Sequence, residues 1–311
     1  MALPFLLLGL LTLWAGTEIL LKGVLRLTDH YGLSHVFTGL VILSIITDLP
    51  ETAIAIASSI KQLKGVQTSG IIIGNSIGSS IAQITAVLGI SGLYGYFTLT
   101  KEQMFEDGAF LLGSVTLLFF LGLDGNISTA EGASMLIIYM LYYWLMLRRE
   151  KVSVKLKKKR IKKLYQVIFY MVAGTLVLIT GSELAVRNAL VLAERWQISQ
   201  SFVGIVIIGL STSLPELAVS IASAFKKAPG LSVGNIIGSN IYDVLMPVGL
   251  SAVISPLTFE KKIIQVDVPF LLVATTLVLI FFRKKKGLQK KEAIALISLF
   301  VLFNLYKIIN P

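Results

Sequence analysis

Long runs of apolar residues, each interrupted by only a few polar positions, dominate the chain of 311 residues. A helix needs about 20 consecutive apolar residues to cross the hydrocarbon core of a bilayer, and these runs have that length. The pattern predicts an all-α membrane protein with ten transmembrane helices. The predicted spans cover about residues 3–27, 36–60, 68–94, 106–123, 130–148, 165–190, 201–225, 231–255, 266–283 and 291–309.

The second half of the chain repeats the first. Residues 32–59 align with residues 197–224 at an offset of 165, and residues 74–84 align with residues 234–244 at an offset of 160. Chance similarity between apolar helices would not place rare acids in register. The register pairs Glu18 with Glu183, Glu51 with Glu216 and Asp107 with Asp267.

Five predicted helices in each half require the second half to insert upside down relative to the first. Such inverted repeats place their substrate site near the middle of the membrane, where the two halves meet. We divide the chain into a first repeat (1–148), a basic cytoplasmic loop (149–164) and a second repeat (165–311).

Composition agrees with a membrane protein and excludes several kinds of site. Hydrophobic residues make up 55% of the chain and charged residues only 14%, whereas a soluble domain has about 25% charged residues. There is no cysteine, which excludes disulfides and thiolate metal sites, and two histidines are too few for a histidine metal centre. The first apolar run lacks a basic leader and a small-residue cleavage site, so we interpret it as a transmembrane helix.

The net charge of +11 is concentrated in two segments, from Arg148 to Lys163 and from Arg283 to Lys291. Basic loops mark the cytoplasmic side of a membrane protein. Both segments then face the cytoplasm, and the N-terminus lies outside. Neither segment intersperses aromatic residues with its bases, so we expect contact with the lipid surface and no binding of nucleic acid.

Two related motifs bring polar chemistry into the second span of each half. ITDLPE (46–51) and STSLPE (211–216) place a proline and a carboxylate inside an apolar helix. Proline has no N–H and cannot bond the carbonyl four residues before it, which frees the carbonyls of Ile46 and Ser211. Freed carbonyls are tolerated in a membrane where they line a cavity, and they are good ligands for hard cations.

Residues four apart share a helix face, and such pairs gather oxygen atoms near these motifs. The third span of each half adds similar pairs after glycine-rich breaks, GNSIG and GNIIG. An oxygen-only cage suits calcium, and sodium uses similar ligands. The candidate ligands are Thr47, Asp48, Glu51, Ser79, Gln83, Thr212, Ser213, Glu216, Ser239 and Asp243.

The remaining acids in the spans have structural explanations. Glu18 and Glu183 each precede a base by four residues, Lys22 and Arg187, so we expect ion pairs within one helix. Asp107 and Asp267 lie at the entry of a span, where we expect a helix-end or topological role.

The two motif pairs resemble the signatures of the sodium/calcium exchanger family, within the wider cation/calcium antiporters. STSLPELAVSIAS with GNIIGSNIYDVL is close to the second-repeat signature, and TDLPETAIAIASS with GNSIGSSIAQI is a more divergent first-repeat signature. The resemblance covers almost the whole chain. It implies ten helices, alternating access, a central site for one calcium or several sodium ions, and no cofactor besides these ions.

The resemblance also implies roles for individual residues. Glu51 and Glu216 would be the principal calcium ligands. Spans one and six would slide across the other eight helices as the gate, and we expect one chain to work as a monomer. The residues that would contribute to the sodium and central sites are Thr47, Thr212, Ser79, Ser239, Gln83 and Asp243.

Departures from the family pattern keep the coupling ion open. Asp48 adds an acid where the second repeat has Ser213, and it could bind a proton, a potassium ion or an additional sodium ion. The main hypothesis is exchange of calcium for sodium. The alternative is a proton-coupled or potassium-assisted antiporter of calcium or another divalent cation. An intramembrane protease would need a Gly-x-Gly-Asp partner motif or a Ser/His pair for a serine mechanism, and the chain has neither, so we expect no enzyme activity. A passive channel is a further alternative, and it would show no dependence of calcium flux on a counter-gradient.

Overall fold

The computed structural model describes residues 2–95, 97, 101–153, 164–195, 213–258, 262–283 and 287–310. The described residues form helices joined by short turns, with one small antiparallel ladder. The helices are α1 Ala2–Tyr31, α2 His35–Thr47, α3 Leu49–Leu63, α4 Ser69–Tyr94, α5 Lys101–Leu121, α6 Thr129–Ser153, α7 Leu164–Arg195, α8 Leu214–Phe225, α9 Pro229–Ile254, α10 Ile263–Arg283 and α11 Lys290–Ile309. The strands are β1 Asn126–Ile127 and β2 Leu257–Thr258.

Seven of the described helices are long and apolar enough to cross a membrane, and the bent pair of α2 and α3 makes eight. The predicted all-α membrane protein is therefore confirmed. The helix bounds match the predicted spans to within about five residues. The largest differences are that α5 begins five residues earlier than predicted and that α6 and α7 end five residues later. The predicted seventh span covers 201–225, and its first half, residues 201–212, lies outside the described residues.

The molecule is apolar outside and polar at its centre, the reverse of a soluble domain. Large apolar side chains are exposed along the outer helices, including Leu11, Ile137 and Phe169, whose exposed fractions are 65 to 69%. In contrast, Asp48 and Glu51 have no exposed surface. This distribution fits lipid around the outside and an ion-binding centre inside.

Local sequence signals explain several helix boundaries. Ser128 begins α6 with a capping box, in which its N–H donates to Glu131 at 2.8 Å and the Glu131 N–H donates to its hydroxyl at 3.3 Å. The turn before β1 has the sequence GLDGN (122–126). Gly125 has a φ of +88° there, a conformation that favours glycine.

Hydrogen bonds between loops define the two ends of the molecule. At one end, which we call the basic end, the Ser34 N–H donates to Glu150, and Glu150 lies at the start of the basic loop (149–164). At the other end, which we call the hairpin end, the Gln62 amide donates to the Pro256 carbonyl at 2.6 Å, and β1 pairs with β2. Successive helices run alternately between these ends.

The ladder at the hairpin end has a repeat-related counterpart at the basic end. Ile127 pairs with Leu257 in the ladder, and Phe97 pairs with Leu288 at the basic end. An offset of 160 relates Phe97 to Leu257, and an offset of 161 relates Ile127 to Leu288. Equivalent contacts thus lie at opposite ends, as inverted halves require.

Asp107 and Asp267 form ion pairs between helices and do not cap helix ends. Asp107 on α5 is fully buried and lies 3.1 Å from Arg149 on α6. Asp267 on α10 lies 3.0 Å from Lys307 on α11. Each pair joins the last two helices of its half. The predicted helix-end role is therefore wrong, because burial of each acid calls for a cationic partner on the neighbouring helix.

Glycines let α1 and α7 pack antiparallel with their backbones in contact. Gly9, Gly16 and Gly23 recur every seven residues on α1, and a side chain at Gly16 would collide with the backbone of Leu178. Gly181 on α7 meets the backbone of Leu13 in the same way. Small residues at such crossings allow close van der Waals packing, which drives helix association in lipid.

The ion pairs expected within α1 and α7 do not form. The Glu18 carboxylate pairs with Lys226 after α8, at 2.6 Å, and not with Lys22. No ion pair among the described residues joins Glu183 to Arg187. The prediction used only the spacing along one helix. For Glu18, the base that forms the ion pair comes instead from the end of a neighbouring helix.

The close packing of α1 on α7 predicts a strong effect of one added methyl group. We expect Gly16→Ala to destabilise the protein by about 1–3 kcal/mol, because the backbone of Leu178 leaves no room for a Cβ atom. Thermal unfolding in detergent measures this. Gly113→Ala on the exposed face of α5 is the matched control, since nothing lies within 4 Å of a Cβ atom there. Equal melting temperatures for the two variants would contradict the packing argument.

Candidate ion-binding site

Two breaks in the helical backbone open the site. Asp48 separates α2 from α3 with φ −88° and ψ 5°, and Ser213 precedes α8 with φ −93° and ψ 9°. Each following helix has proline at its second residue, Pro50 or Pro215, where a missing N–H costs nothing. The two halves therefore repeat the same backbone turn at the predicted motifs.

The break changes one expectation about side-chain geometry. We expected Thr47 and Glu51 to share a face of one helix with Pro50 in its middle. Instead, α2 and α3 are separate helices bent by 44°, and the two side chains lie on either side of the bend. Pro50 still leaves the Ile46 carbonyl without its usual partner, because proline has no N–H.

The helices α4 and α9 pass the breaks without interruption. The expected breaks at GNSIG and GNIIG are absent, and both segments are helical throughout. On α9 the glycines serve close packing: a side chain at Gly234 would meet the backbone of Val36 and Gly39 on α2. The crossing brings the polar face of α9 against the broken pair α2 and α3.

The regular α-helical hydrogen-bond pattern of both continuous helices is interrupted at or just after their site residues, in a different way in each helix. In α4 a π-helical turn spans Gln83–Val87, so that the Leu88 N–H reaches the Gln83 carbonyl. In α9 the corresponding position is Pro247, which cannot donate to the Asp243 carbonyl four residues earlier. Wider turns of this kind are frequent at functional sites.

Three carboxylates converge at the centre of the molecule. Asp48, Glu51 and Glu216 each offer an oxygen atom within 4.8 Å of the other two. All three side chains are fully buried, and none of their oxygens has a hydrogen-bond partner among the residues that the structure describes. Asp48 thus belongs to the closest group of acids, together with the two acids of the Leu-Pro-Glu motifs.

Asp243 lies beside this group and is held by hydrogen bonds. The Ser79 hydroxyl donates to its Oδ2 atom at 2.8 Å, and the Gln83 amide donates to the same atom at 3.1 Å. The Asn240 side-chain amide in turn donates to the side-chain Oε1 atom of Gln83 at 3.0 Å. The Oδ1 atom of Asp243 has no partner. One oxygen of Asp243 is thus fixed in place and the other is free to bind a cation.

The predicted hydroxyl ligands are buried in the same region where the structure describes them. Thr47 donates to the Leu43 carbonyl at 3.1 Å, which turns its lone pairs toward the interior. The hydroxyls of Ser213 and Ser239 are fully buried and have no partner. Thr212 lies outside the described residues. Nine of the ten predicted ligands are therefore described, and all nine are buried.

Two asparagines belong to the site, although we did not nominate them from the sequence. The Asn235 Oδ1 atom lies 3.4 Å from the Thr47 hydroxyl, and Asn240 orients Gln83. Both are fully buried. The sequence does hold a signal for Asn235, since Asn235, Ser239 and Asp243 follow one another at four-residue spacing and share a face of α9.

Repulsion between ionised carboxylates adds to the cost of burying them away from water. Two unit charges 4.8 Å apart repel by about 3.5 kcal/mol at an effective dielectric constant of 20. None of the ion pairs among the described residues includes Asp48, Glu51, Glu216 or Asp243. Bound cations are the natural compensation for such a group of buried acids.

Comparison with known proteins places the chain in a family. The sodium/calcium exchanger protein family matches residues 1–148 and 166–309. An uncharacterized membrane protein of Methanocaldococcus jannaschii is 30% identical over 302 residues, 96% of this chain and 95% of that protein. The sodium/calcium exchanger MaX1 of Methanosarcina acetivorans is 26% identical over 340 aligned positions, 96% of each protein.

A solved structure has the same fold. The sodium-calcium exchanger NCX_Mj, in crystals soaked with 2.5 mM Na+ and 10 mM Sr2+, matches with a TM-score of 0.83 and 27% identity over 97% of each chain. The fold and family are those of a membrane transporter and not of an enzyme. The chain belongs to the sodium/calcium exchanger protein family.

The hydrogen-bond chain to Asp243 predicts energetic coupling between Asn240 and Gln83. Asn240→Leu leaves the buried carbonyl oxygen of Gln83 without a donor, which costs about 1–3 kcal/mol. We expect the same change to cost much less in a Gln83→Met background. The resulting coupling of about 0.5–3 kcal/mol is measured by thermal unfolding of the four proteins of the cycle. Additive effects would show that Asn240 does not orient Gln83.

Proposed function

We propose that the chain is an antiporter that exchanges calcium for sodium by alternating access, at a site between two inverted halves. Three buried carboxylates within 4.8 Å of one another, which form no ion pair with any described cationic side chain, are the observation on which the proposal rests. Membership of the sodium/calcium exchanger family supports the choice of ions.

We propose ten transmembrane helices in two halves, residues 1–148 and 165–311, joined by the basic loop 149–164. The bent pair α2 and α3 forms one span, and residues 201–213 with α8 form its counterpart. The alternation of helix ends, the matching turns at Asp48 and Ser213, and the paired contacts at opposite ends support this arrangement.

Glu51 and Glu216 are proposed as the principal calcium ligands, with Asp48 and the free oxygen of Asp243 beside them. All candidate ligands are oxygen atoms, which calcium prefers, and calcium accepts six to eight of them in flexible geometry. The freed carbonyl of Ile46 adds a neutral oxygen. The further proposed ligands of calcium or sodium are Thr47, Ser79, Gln83, Thr212, Ser213 and Ser239.

The charge of the site explains why transport is an exchange. Four buried acids make the empty site unstable in a region of low dielectric constant, so one ion leaves only when others replace it. No resident cofactor is needed for this reaction. One chain supplies all the acids of the cluster, which supports function as a monomer.

The basic end is proposed to face the cytoplasm of a cell membrane. The basic loop adjoins this end at Glu150, and the segment from Arg283 to Lys291 adjoins it at Leu288. The positive-inside rule then places both loops in the cytoplasm and the N-terminus outside.

Calcium uptake into proteoliposomes tests the coupling ion. The purified protein is reconstituted into vesicles loaded with sodium, potassium or acidic buffer and diluted into neutral choline medium with radioactive calcium. We expect uptake only with internal sodium, because sodium must replace calcium at the acids. Uptake driven by the proton gradient, or requiring potassium, would overturn sodium coupling and favour the alternative antiporters. Uptake without any counter-gradient would indicate a channel.

Neutral variants of the principal ligands are the control for this assay. Glu51→Gln and Glu216→Gln keep the shape of the side chain and remove its charge, so both should abolish uptake while the proteins still elute as folded monomers. Uptake at the wild-type rate in either variant would remove that residue from the proposed site.

Asp48 is expected to set the response to the monovalent ion. The substitution Asp48→Ser copies the residue of the second repeat, Ser213, and removes one of four negative charges. We expect a larger change in the dependence of uptake on internal sodium than in calcium binding, because Glu51 and Glu216 remain. Isothermal titration and uptake at varied internal sodium measure the two effects. Ser213→Ala changes the equivalent position of the second repeat and removes a neutral candidate ligand, so it should alter the sodium dependence less than Asp48→Ser does. An unchanged sodium dependence in Asp48→Ser would make Asp48 structural.

A further inference from the structure

An ion pair at the basic end joins the outer pair of helices to the rest of the molecule. The Lys226 ammonium group lies 2.6 Å from the Glu18 carboxylate on α1, and both side chains are about one-third exposed or less. Next to this pair, Phe225 contacts Trp14 of α1, with ring centroids 6.3 Å apart, and Tyr94 of α4, at 5.7 Å. These contacts close α1 against α8.

The repeat contains a second set of the same charged residues. The offset of 165 that relates Glu18 to Glu183 also relates Lys61 to Lys226. Glu183 lies on α7 and Lys61 near the end of α3, next to Gln62 at the hairpin end. Among the described residues no ion pair joins Glu183 and Lys61, and both side chains are exposed.

Packing shows the same asymmetry as the ion pairs. Helix α1 packs along α8, whereas α7 has at most sparse contact with α3. Ile60 is the repeat counterpart of Phe225, and 46% of its side chain is exposed. Among the described residues, α1 is therefore in contact with α8 at the basic end, while the repeat-equivalent contact of α7 with α3 at the hairpin end is largely unmade.

The glycine contacts make α1 and α7 move together. Their backbones touch at several levels, so a shift that brings α7 onto α3 also displaces α1 from α8. Transporters built from inverted repeats change access by moving one group of helices against the other around a central site. The opposite access state should then exchange the contacts of the two halves.

We propose that Glu18–Lys226 and Glu183–Lys61 form alternately and that each ion pair stabilises one of the two access states. This inference rests on the alternating-access transport proposed above, and it adds four residues that lie outside the ion site. The pair Glu18–Lys226 holds the basic end closed. The pair Glu183–Lys61 forms when the basic end opens and the hairpin end closes.

Cross-linking of cysteine pairs tests the alternation, because the natural chain has no cysteine. One double variant carries Glu18→Cys and Lys226→Cys, and the other carries Lys61→Cys and Glu183→Cys. A short bifunctional thiol reagent is applied to proteoliposomes in sodium, calcium and choline media. Glu18→Cys with Lys61→Cys is the control, because these residues lie on opposite ends of the molecule.

We expect the two yields to change in opposite directions when the ion medium changes. Each cross-link should remove nearly all calcium uptake, and reduction of a cleavable reagent should restore it. The proposal fails if the pair at positions 61 and 183 never cross-links in media that support uptake, or if both yields rise together. Cross-linking is scored whichever ion drives uptake. If uptake does not depend on sodium but the two cross-linking yields still change in opposite directions, the proposed function is overturned and this inference is retained.

Neutralising one acid at a time gives a second readout with opposite signs. The labelling rate of Ile60→Cys by a membrane-impermeant thiol reagent reports on the open hairpin end. An ion pair of this exposure shifts an equilibrium by about twofold to fivefold, so Glu18→Gln should slow labelling and Glu183→Gln should raise it. Lys227→Gln, next to Lys226 and exposed, should leave the rate unchanged. Shifts of the same sign in both variants would overturn the alternation.

Discussion

Mutual repulsion among buried carboxylates is the constraint on which the rest of this structure depends. Asp48, Glu51 and Glu216 face one another, and in the described part of the chain they have neither a hydrogen bond nor a cationic partner. Asp243 lies beside them with one oxygen that makes no hydrogen bond there. A fold that held these acids only to stabilise itself would be costly. Cations bound among the acids would offset the free-energy cost of burying their charges, and this requirement links the fold to the proposed ion exchange.

Broken and continuous helices together place the acids at the centre of the molecule. The turns at Asp48 and Ser213 place an acid or hydroxyl at the point where backbone polar groups are free, and the proline that follows keeps each turn from closing into a helix. The continuous helix α9 supplies hydroxyl and amide groups at four-residue spacing, with Asp243 fixed by Ser79 and Gln83 from α4. Rigid helices thus set the positions, and the breaks provide the open coordination.

The movement proposed for alternating access concerns the periphery of the molecule. The tight pair α1 and α7 packs on the inner helices through an apolar cluster that includes Leu43 and Val219. At the basic end α1 adds an ion pair and an aromatic cluster, and the described residues show no equivalent contact at the hairpin end. A symmetric sequence has therefore adopted an asymmetric conformation. In an inverted repeat this asymmetry is itself informative, because the second state is the same set of contacts exchanged between the halves.

The sequence by itself determined the helices, the repeat and nearly all of the candidate site. Apolar run length and four-residue spacing are local properties, and the in-register acids exposed the repeat without any structure. The tertiary structure decided which residues meet: Asp48 joined Glu51 and Glu216, Asn240 reached Gln83, and Glu18 paired with Lys226 in place of Lys22. It also showed that the glycine-rich segments remain helical and that Asp107 and Asp267 form ion pairs between helices. These contacts join residues far apart in the chain, and spacing along one helix cannot report the bend of 44° or the crossing of helices that brings them together.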